Sequence, residues 1–195
     1  MSSGNPETRK KILNSAWKLL EAAPGQEVRM TDIAKEAGVS RQALYLHFPK
    51  RSGLLIATTH HIDEVKEVEA KLVPSRSAKT GIERLNAFID AWGNYIPEIY
   101  GVGKALMIMS ETDDAAKQAW DDRMQAVRQG CCAVITALAK DGQLSSAHSV
   151  EVASDILSTL LSVRTWEHFT IDCDWSQNLY IEKIKTLALQ MLVEE

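Results

Sequence analysis

The residues with the clearest chemistry cluster near the N-terminus: Arg41, Gln42, Tyr45 and His47, with Lys50 and Arg51 just beyond. Arg and Gln can each form two parallel hydrogen bonds to the major-groove edges of guanine and adenine. Tyr, His and Lys suit phosphate oxygens, which hold a protein in register without reading sequence. An ordinary solvated helix carries Glu/Lys pairs, whereas the run from Arg41 to His47 contains no acidic residue. These residue types point to a helix that meets a polyanion.

Other constellations are weaker. His60 and Glu64, beside His61 and Asp63, stand at i, i+4 and could present two ligands to a metal. Two ligands do not make a site, so a solvated patch and no metal are expected. Cys131 and Cys132 are adjacent, and neighbours on a helix point about 100° apart. Cys131 lies on an apolar stripe and is expected to be buried, while Cys173 has no assigned place. Arg123, Arg128 and Arg164 fall in apolar segments and read as ion-pair partners, with an anchor for an acidic ligand as the rival reading. A phosphate-binding glycine loop, a nucleophile elbow, an HExxH motif and a convincing acid–base pair are all missing from the sequence. A non-enzyme without a cofactor is expected.

The basic cluster needs a scaffold, and the stretch from Met30 to Phe48 has the parts of a helix-turn-helix. Ala34 is small where two helices would approach. Gly38 tolerates the positive φ of a tight turn. Ser40 stands at an N-cap position, and Thr31 could cap the preceding helix. Leu44 and Phe48, at i, i+4, would pin the second helix and leave Arg41, Gln42, Tyr45 and His47 outward.

Apolar positions recur with helical spacing along the rest of the chain, and the alternation of a half-buried strand is scarce. The first helix opens with Asn5 as N-cap and Pro6 at N1, buries Ile12, Leu13, Ala16, Leu20 and Ala23, and closes at Pro24-Gly25. Short helices follow over 31–37 and 41–47, then a long one over 51–72. Ile82, Leu85, Phe88, Ile89, Trp92 and Ile96 mark a fifth helix, ended or kinked by Pro97. A short helix near 104–111 comes next. A long one then runs through Trp120, Met124, Val127, Cys131, Val134, Ile135 and Leu138 to Asp141-Gly142. Two more span 147–170 and 175–193. The expected fold is all-α with about nine helices.

The chain has 195 residues, 45% hydrophobic and 25% charged, which suits a globular protein. No apolar run reaches the ~18 residues of a membrane span. The stretch 1–7 lacks the apolar core of a signal peptide, so a cytoplasmic location is expected. The net charge of −4 is uneven. Residues 1–60 hold nine Lys/Arg against five Asp/Glu, a net of +4, and the remainder carries −8. A basic head on an acidic body fits a polyanion partner for the head.

Residues 8–60 resemble the N-terminal domain of the TetR family of transcriptional regulators. The matching elements are Ile12-Leu13-x-x-Ala16, Thr31-x-Ile33-Ala34-x-x-Ala37-Gly38-Val39-Ser40, and Leu44-Tyr45-x-His47-Phe48-Pro49-x-Arg51-x-x-Leu54-Leu55. The resemblance implies that Thr31, Ser40, Tyr45, His47 and Arg51 hold the DNA backbone and that Arg41, Gln42 and Ala43 face bases. Lys50 joins them on charge. Gln42 departs from the glycine common in the family and adds a base-reading group. Leu46 departs from the polar or aromatic residue common there and is left out of the contact set.

The resemblance also implies a division into a DNA-binding domain at 1–50 and an effector-binding and dimerisation domain at 51–195. Apolar and aromatic residues of the body, Trp92, Tyr95, Met107, Trp120, Met124, Trp166 and Phe169, are candidates for an effector pocket. The last two helices have long apolar faces, from which Ile156, Leu157, Leu160, Leu161, Ile184, Leu187 and Met191 are candidates for a homodimer interface. Two-fold symmetry would place two recognition helices about 34–36 Å apart, or a multiple of that, on a palindromic operator of double-stranded DNA. The expected function is a repressor that an unknown small-molecule effector releases from DNA. The alternative is a helical protein–protein adaptor with a degenerate helix-turn-helix.

Overall fold

Asn5 caps the first helix: its Oδ1 accepts from the Glu7 amide at 3.0 Å, and Pro6 sits in the first turn, where its missing N–H costs nothing. The computed structural model describes residues 5–22 and 24–194. Ala23, expected on the buried face of this helix, lies outside them. Among the described residues every regular element is helical, and the one strand-like feature is an isolated bridge between Leu144 and Val193.

In chain order the elements are α1 (Pro6–Ala22), α2 (Met30–Glu36), α3 (Arg41–His47), α4 (Arg51–Val65), the short α5 (Val68–Lys71) and α6 (Val73–Arg76), α7 (Gly81–Met109), α8 (Asp114–Lys140), α9 (Val150–Leu160), α10 (Val163–Glu167) and α11 (Gln177–Leu192). A π-helical turn, His168–Asp172, follows α10. No helix among the described residues is long and apolar enough to cross a membrane.

Three boundaries differ from the sequence reading. The helix expected over 51–72 stops at Val65, because Glu67 turns left-handed at φ 54°. The apolar pattern runs on through Leu72 without a glycine or proline, so periodicity gave no stop signal. The segment over 147–170 breaks at Leu161, where Ser162 starts α10 by accepting from the Thr165 amide at 3.1 Å.

The third difference is at Pro97, which neither ends α7 nor separates the helices expected on either side of it. A proline inside a helix leaves the carbonyl four residues earlier without its donor. That carbonyl belongs to Gly93, and Gln177 Nε2 donates to it at 2.7 Å. The same Gln177 accepts from the Trp166 indole through Oε1 at 2.8 Å. A side chain of α11 therefore replaces the hydrogen bond that Pro97 cannot make, and the helix continues.

The chain divides into two packed units. The first comprises the residues up to Lys66 together with Ile99–Arg123. Its core holds Ile12, Leu13, Leu20, Ile33, Leu44, Leu54, Leu55 and Leu106. The second comprises Glu67–Glu98 and the residues from Met124 on. Leu85, Ile89, Tyr95, Ile135, Leu138, Leu157, Tyr180 and Ile184 are buried in it. In this second unit α7 and α8 approach closely at Gly81, where a Cβ would stand 2.7 Å from the Leu138 backbone. Gly81 N–H donates to Asp141 Oδ2 there at 2.7 Å. Packing does not divide the chain between 50 and 51, since α4 packs on α1 within the first unit.

Candidate nucleic-acid interface

The turn between α2 and α3 closes with two hydrogen bonds. Val39 N–H donates to the Ala34 carbonyl at 3.0 Å and Gly38 N–H to the Lys35 carbonyl at 3.2 Å. This pairing ends a helix through a left-handed residue, and Gly38 takes that conformation at φ 65°. A Cβ on Gly38 would meet nothing within 4 Å, so backbone conformation rather than space calls for glycine. Ser40 then caps α3, its Oγ accepting from the Ala43 amide at 3.1 Å. Thr31 does not cap α2: the helix begins one residue earlier, after Arg29, with Met30 already in the core. Thr31 is exposed in the first turn of α2.

One side of α3 is fixed by packing. Leu44 is fully buried and Phe48 nearly so, in the core that also holds Ile33 and Ala34. The Arg9 guanidinium lies 5.0 Å from the Phe48 ring centroid. The other side is open. Arg41 and Gln42 are exposed, Tyr45 is 42% exposed and Leu46 77%. Ala43 and His47 are half-buried at the flanks, and Lys50 is exposed at the start of α4. The structure thus gathers Ser40, Arg41, Gln42, Tyr45 and Lys50 around one short helix with no acidic residue in it. Leu46, excluded by sequence reasoning, stands on the same face, one turn from Gln42.

Arg51 is placed differently from its expected backbone-holding role. Its Nε donates to the Val28 carbonyl at 2.7 Å, and its Nη1 pairs with Asp113. Only 16% of the side chain is exposed. Asp113 uses its other oxygen to cap α8, accepting from the Ala115 and Ala116 amides at 2.9 and 3.1 Å. Burial pushes the Asp113 carboxyl up, but the Arg51 hydrogen bond and these amides outweigh it and hold the group below its ordinary value. Arg51 is a tether between the starts of α4 and α8.

Two further pairs follow along the same helices. His60 Nε2 meets Asp122 Oδ2 at 3.0 Å, and Arg123 Nη1 donates to Asp63 Oδ2 at 2.5 Å. His61 turns away from His60, its Nε2 lying 2.8 Å from Asn14 Oδ1. Arg128 pairs with Asp155 at 2.9 Å. Arg164 is exposed. Cys131 is fully buried, and burial pushes its thiol up to about 12. Cys132 is exposed, as is Cys173, whose Sγ lies 3.7 Å from His168 Nε2.

The candidate pocket residues fall in both units. Trp92, Tyr95, Trp166, Phe169 and Met124 belong to the second, and Met107 and Trp120 to the first. In the second unit Trp92 and Tyr95 meet at 5.6 Å between centroids, and Phe169 stacks on Trp175 at 4.3 Å. The polar atoms of this group are internally paired: Trp92 Nε1 donates to the Leu161 carbonyl and Tyr180 Oη to the Leu160 carbonyl.

Of the candidate dimer residues, Leu157, Leu161 and Ile184 are buried within the protomer and serve its core. Their helical period matches that of an interface, and only burial separates the two roles. Ile156, Leu160 and Leu187 are half-buried, and Met191 is exposed. Ile156, Leu160 and Met191 line an open groove with Val152, Asp155 and Thr159, the last two missed in the sequence.

Residues 12–58 match the family of bacterial regulatory proteins, tetR family. Over 64 residues the chain is 34% identical to the nucleoid occlusion factor SlmA of Marinomonas sp. strain MWYL1, covering 33% of this chain and 32% of that one. It is 24% identical over 155 residues to the HTH-type transcriptional regulator EthR of Mycobacterium tuberculosis strain H37Rv, covering 75% and 70%. The match spans about a third of the Marinomonas SlmA and 62% of the SlmA of Marinobacter nauticus. A transcriptional regulator from Saccharomonospora viridis, solved with choline, has the same fold at a TM-score of 0.75 and 19% identity, over 98% of this chain and 100% of that one. NalD, the secondary repressor of the MexAB-OprM multidrug efflux pump in Pseudomonas aeruginosa, aligns at a TM-score of 0.68 and 18% identity, over 97% and 98%. The matched residues 12–58 hold the buried and outward faces of α2 and α3, and over them the chain is similar to the tetR family of bacterial regulatory proteins.

Proposed function

We propose that this protein is a ligand-responsive, DNA-binding transcriptional repressor that works as a homodimer in the cytoplasm and catalyses no reaction. The observation that carries the reading is the two-sided character of α3. Leu44 and Phe48 lock one side into the core, and Arg41, Gln42 and Tyr45 stand free on the other with no carboxylate among them. Arg41, Gln42 and Ala43 face bases, while Thr31, Ser40, Tyr45, His47 and Lys50 hold the backbone. Residues 1–50 supply the DNA contacts, and 51–195 supply effector binding and dimerisation.

The groove of Val152, Ile156, Leu160 and Met191 on α9 and α11 is the proposed dimer face, since its apolar side chains are only partly covered within the protomer. The effector enters among Trp92, Tyr95, Trp166 and Phe169, where aromatic surface is rich. It releases DNA only by binding one shape of the dimer more tightly than the other.

The test is selection of duplexes from a random pool, followed by titration of the selected sequence with the wild-type chain and with Arg41→Ala. The variant should lose about 1–3 kcal/mol and become indifferent to the base pair that Arg41 reads. An equal loss on selected and scrambled duplexes would instead make Arg41 a phosphate contact.

A further inference from the structure

Leu46 is the most exposed large hydrophobic side chain among the described residues, at 77%, and it is absent from the side chains packed on the core of its unit. It stands i+4 from Gln42 and next to Tyr45, on the face that carries Arg41. A hydrocarbon there gains nothing from phosphate oxygens. The edges of base pairs in the major groove are rows of hydrogen-bond donors and acceptors with one apolar group among them, the C5-methyl of thymine. We infer that Leu46 is a specificity residue that takes up a thymine methyl in the major groove. This rests on the DNA-binding reading of α3 and adds to it a base identity that the hydrogen-bonding residues do not supply.

The charge around Leu46 supports that occupant over an apolar protein surface. Arg41 and Lys50, both exposed, stand before and after it in the chain, and α3 has no acidic residue, so a polyanion is drawn to the face that Leu46 occupies. Contact with the methyl removes apolar surface of both partners from water. Burying one carbon is worth about 0.8 kcal/mol, a change of roughly fourfold in affinity.

The experiment is a cycle between protein and DNA with the full chain. Each thymine of a selected duplex is replaced in turn by deoxyuridine, which lacks only the methyl, and every duplex is titrated with wild type, Leu46→Ala and Leu46→Met. Replacement at one thymine per half-site should weaken wild type roughly fourfold and leave Leu46→Ala unaffected, while Leu46→Met, which keeps an apolar end, retains the discrimination. Leu46→Ala should unfold at the wild-type temperature, because the side chain packs on nothing.

Two results would overturn the inference while leaving DNA binding intact: Leu46→Ala binding as wild type does, or a loss in that variant that is the same on thymine and uracil duplexes. Failure of the wild-type chain to select any duplex would refute the DNA reading itself, and the inference with it.

Discussion

His61 packs into the head with 8% of its surface exposed, and its Nε2–H donates to Asn14 Oδ1 at 2.8 Å. Burial holds the imidazole below its ordinary pKa of 6.5. The charges of Lys10 and Arg9 add to the lowering, and Glu64 works against it. Below pH 6.5 the unfolded chain therefore takes up a proton that the folded one resists, so folding stability falls from that pH down to the folded value. In urea titrations the free energy of unfolding should decline between pH 7 and 5 in wild type and less steeply in His61→Gln; parallel curves would refute this. Asp113 behaves in the same direction at lower pH. Its folded value lies below the ordinary 3.8, so its contribution is complete above that pH and lost as pH falls through the folded value. Arg51 shows what a sequence motif leaves out. Its position in the sequence motif suggested a phosphate contact, and only coordinates could bring Val28 and Asp113 to it.

Helices that announce themselves locally were readable from the sequence. Gly38, Ser40, Leu44 and Phe48 specify the α2–α3 turn and its packing within a dozen residues, and the structure places all four as those roles require. The continuation of α7 through Pro97 could not be read the same way, because the compensating group is Gln177, 84 residues from Gly93 in sequence. That compensation is testable. Gln177→Leu should cost about 1–3 kcal/mol by leaving the Gly93 carbonyl and the Trp166 indole N–H unpaired. Adding Pro97→Ala should recover part of the loss, since it returns an N–H to the Gly93 carbonyl. Strictly additive effects of the two substitutions in urea unfolding would refute the link. The break at Glu67 is of a third kind: a left-handed non-glycine residue leaves no local signature at all.

For the molecule as a whole, the −8 carried by residues 61–195 and the +4 of residues 1–60 concentrate positive charge in the stretch that holds α3, which suits a polyanion. The proposed dimer face was readable only in part. Amphipathic period identified α9 and α11, but Leu157, Leu161 and Ile184 turn inward while Val152 and Met191 remain outside. Several phosphates must be neutralised if α3 and its flanks meet a duplex, and each releases condensed counterions. The direct test is equilibrium titration of a selected duplex with the full-length chain at salt concentrations from about 50 to 200 mM. For about six neutralised phosphates the affinity should fall on the order of 10³-fold, linearly in the logarithm of salt concentration. Affinity that stays flat across that range would contradict the placement of the α3 face against DNA.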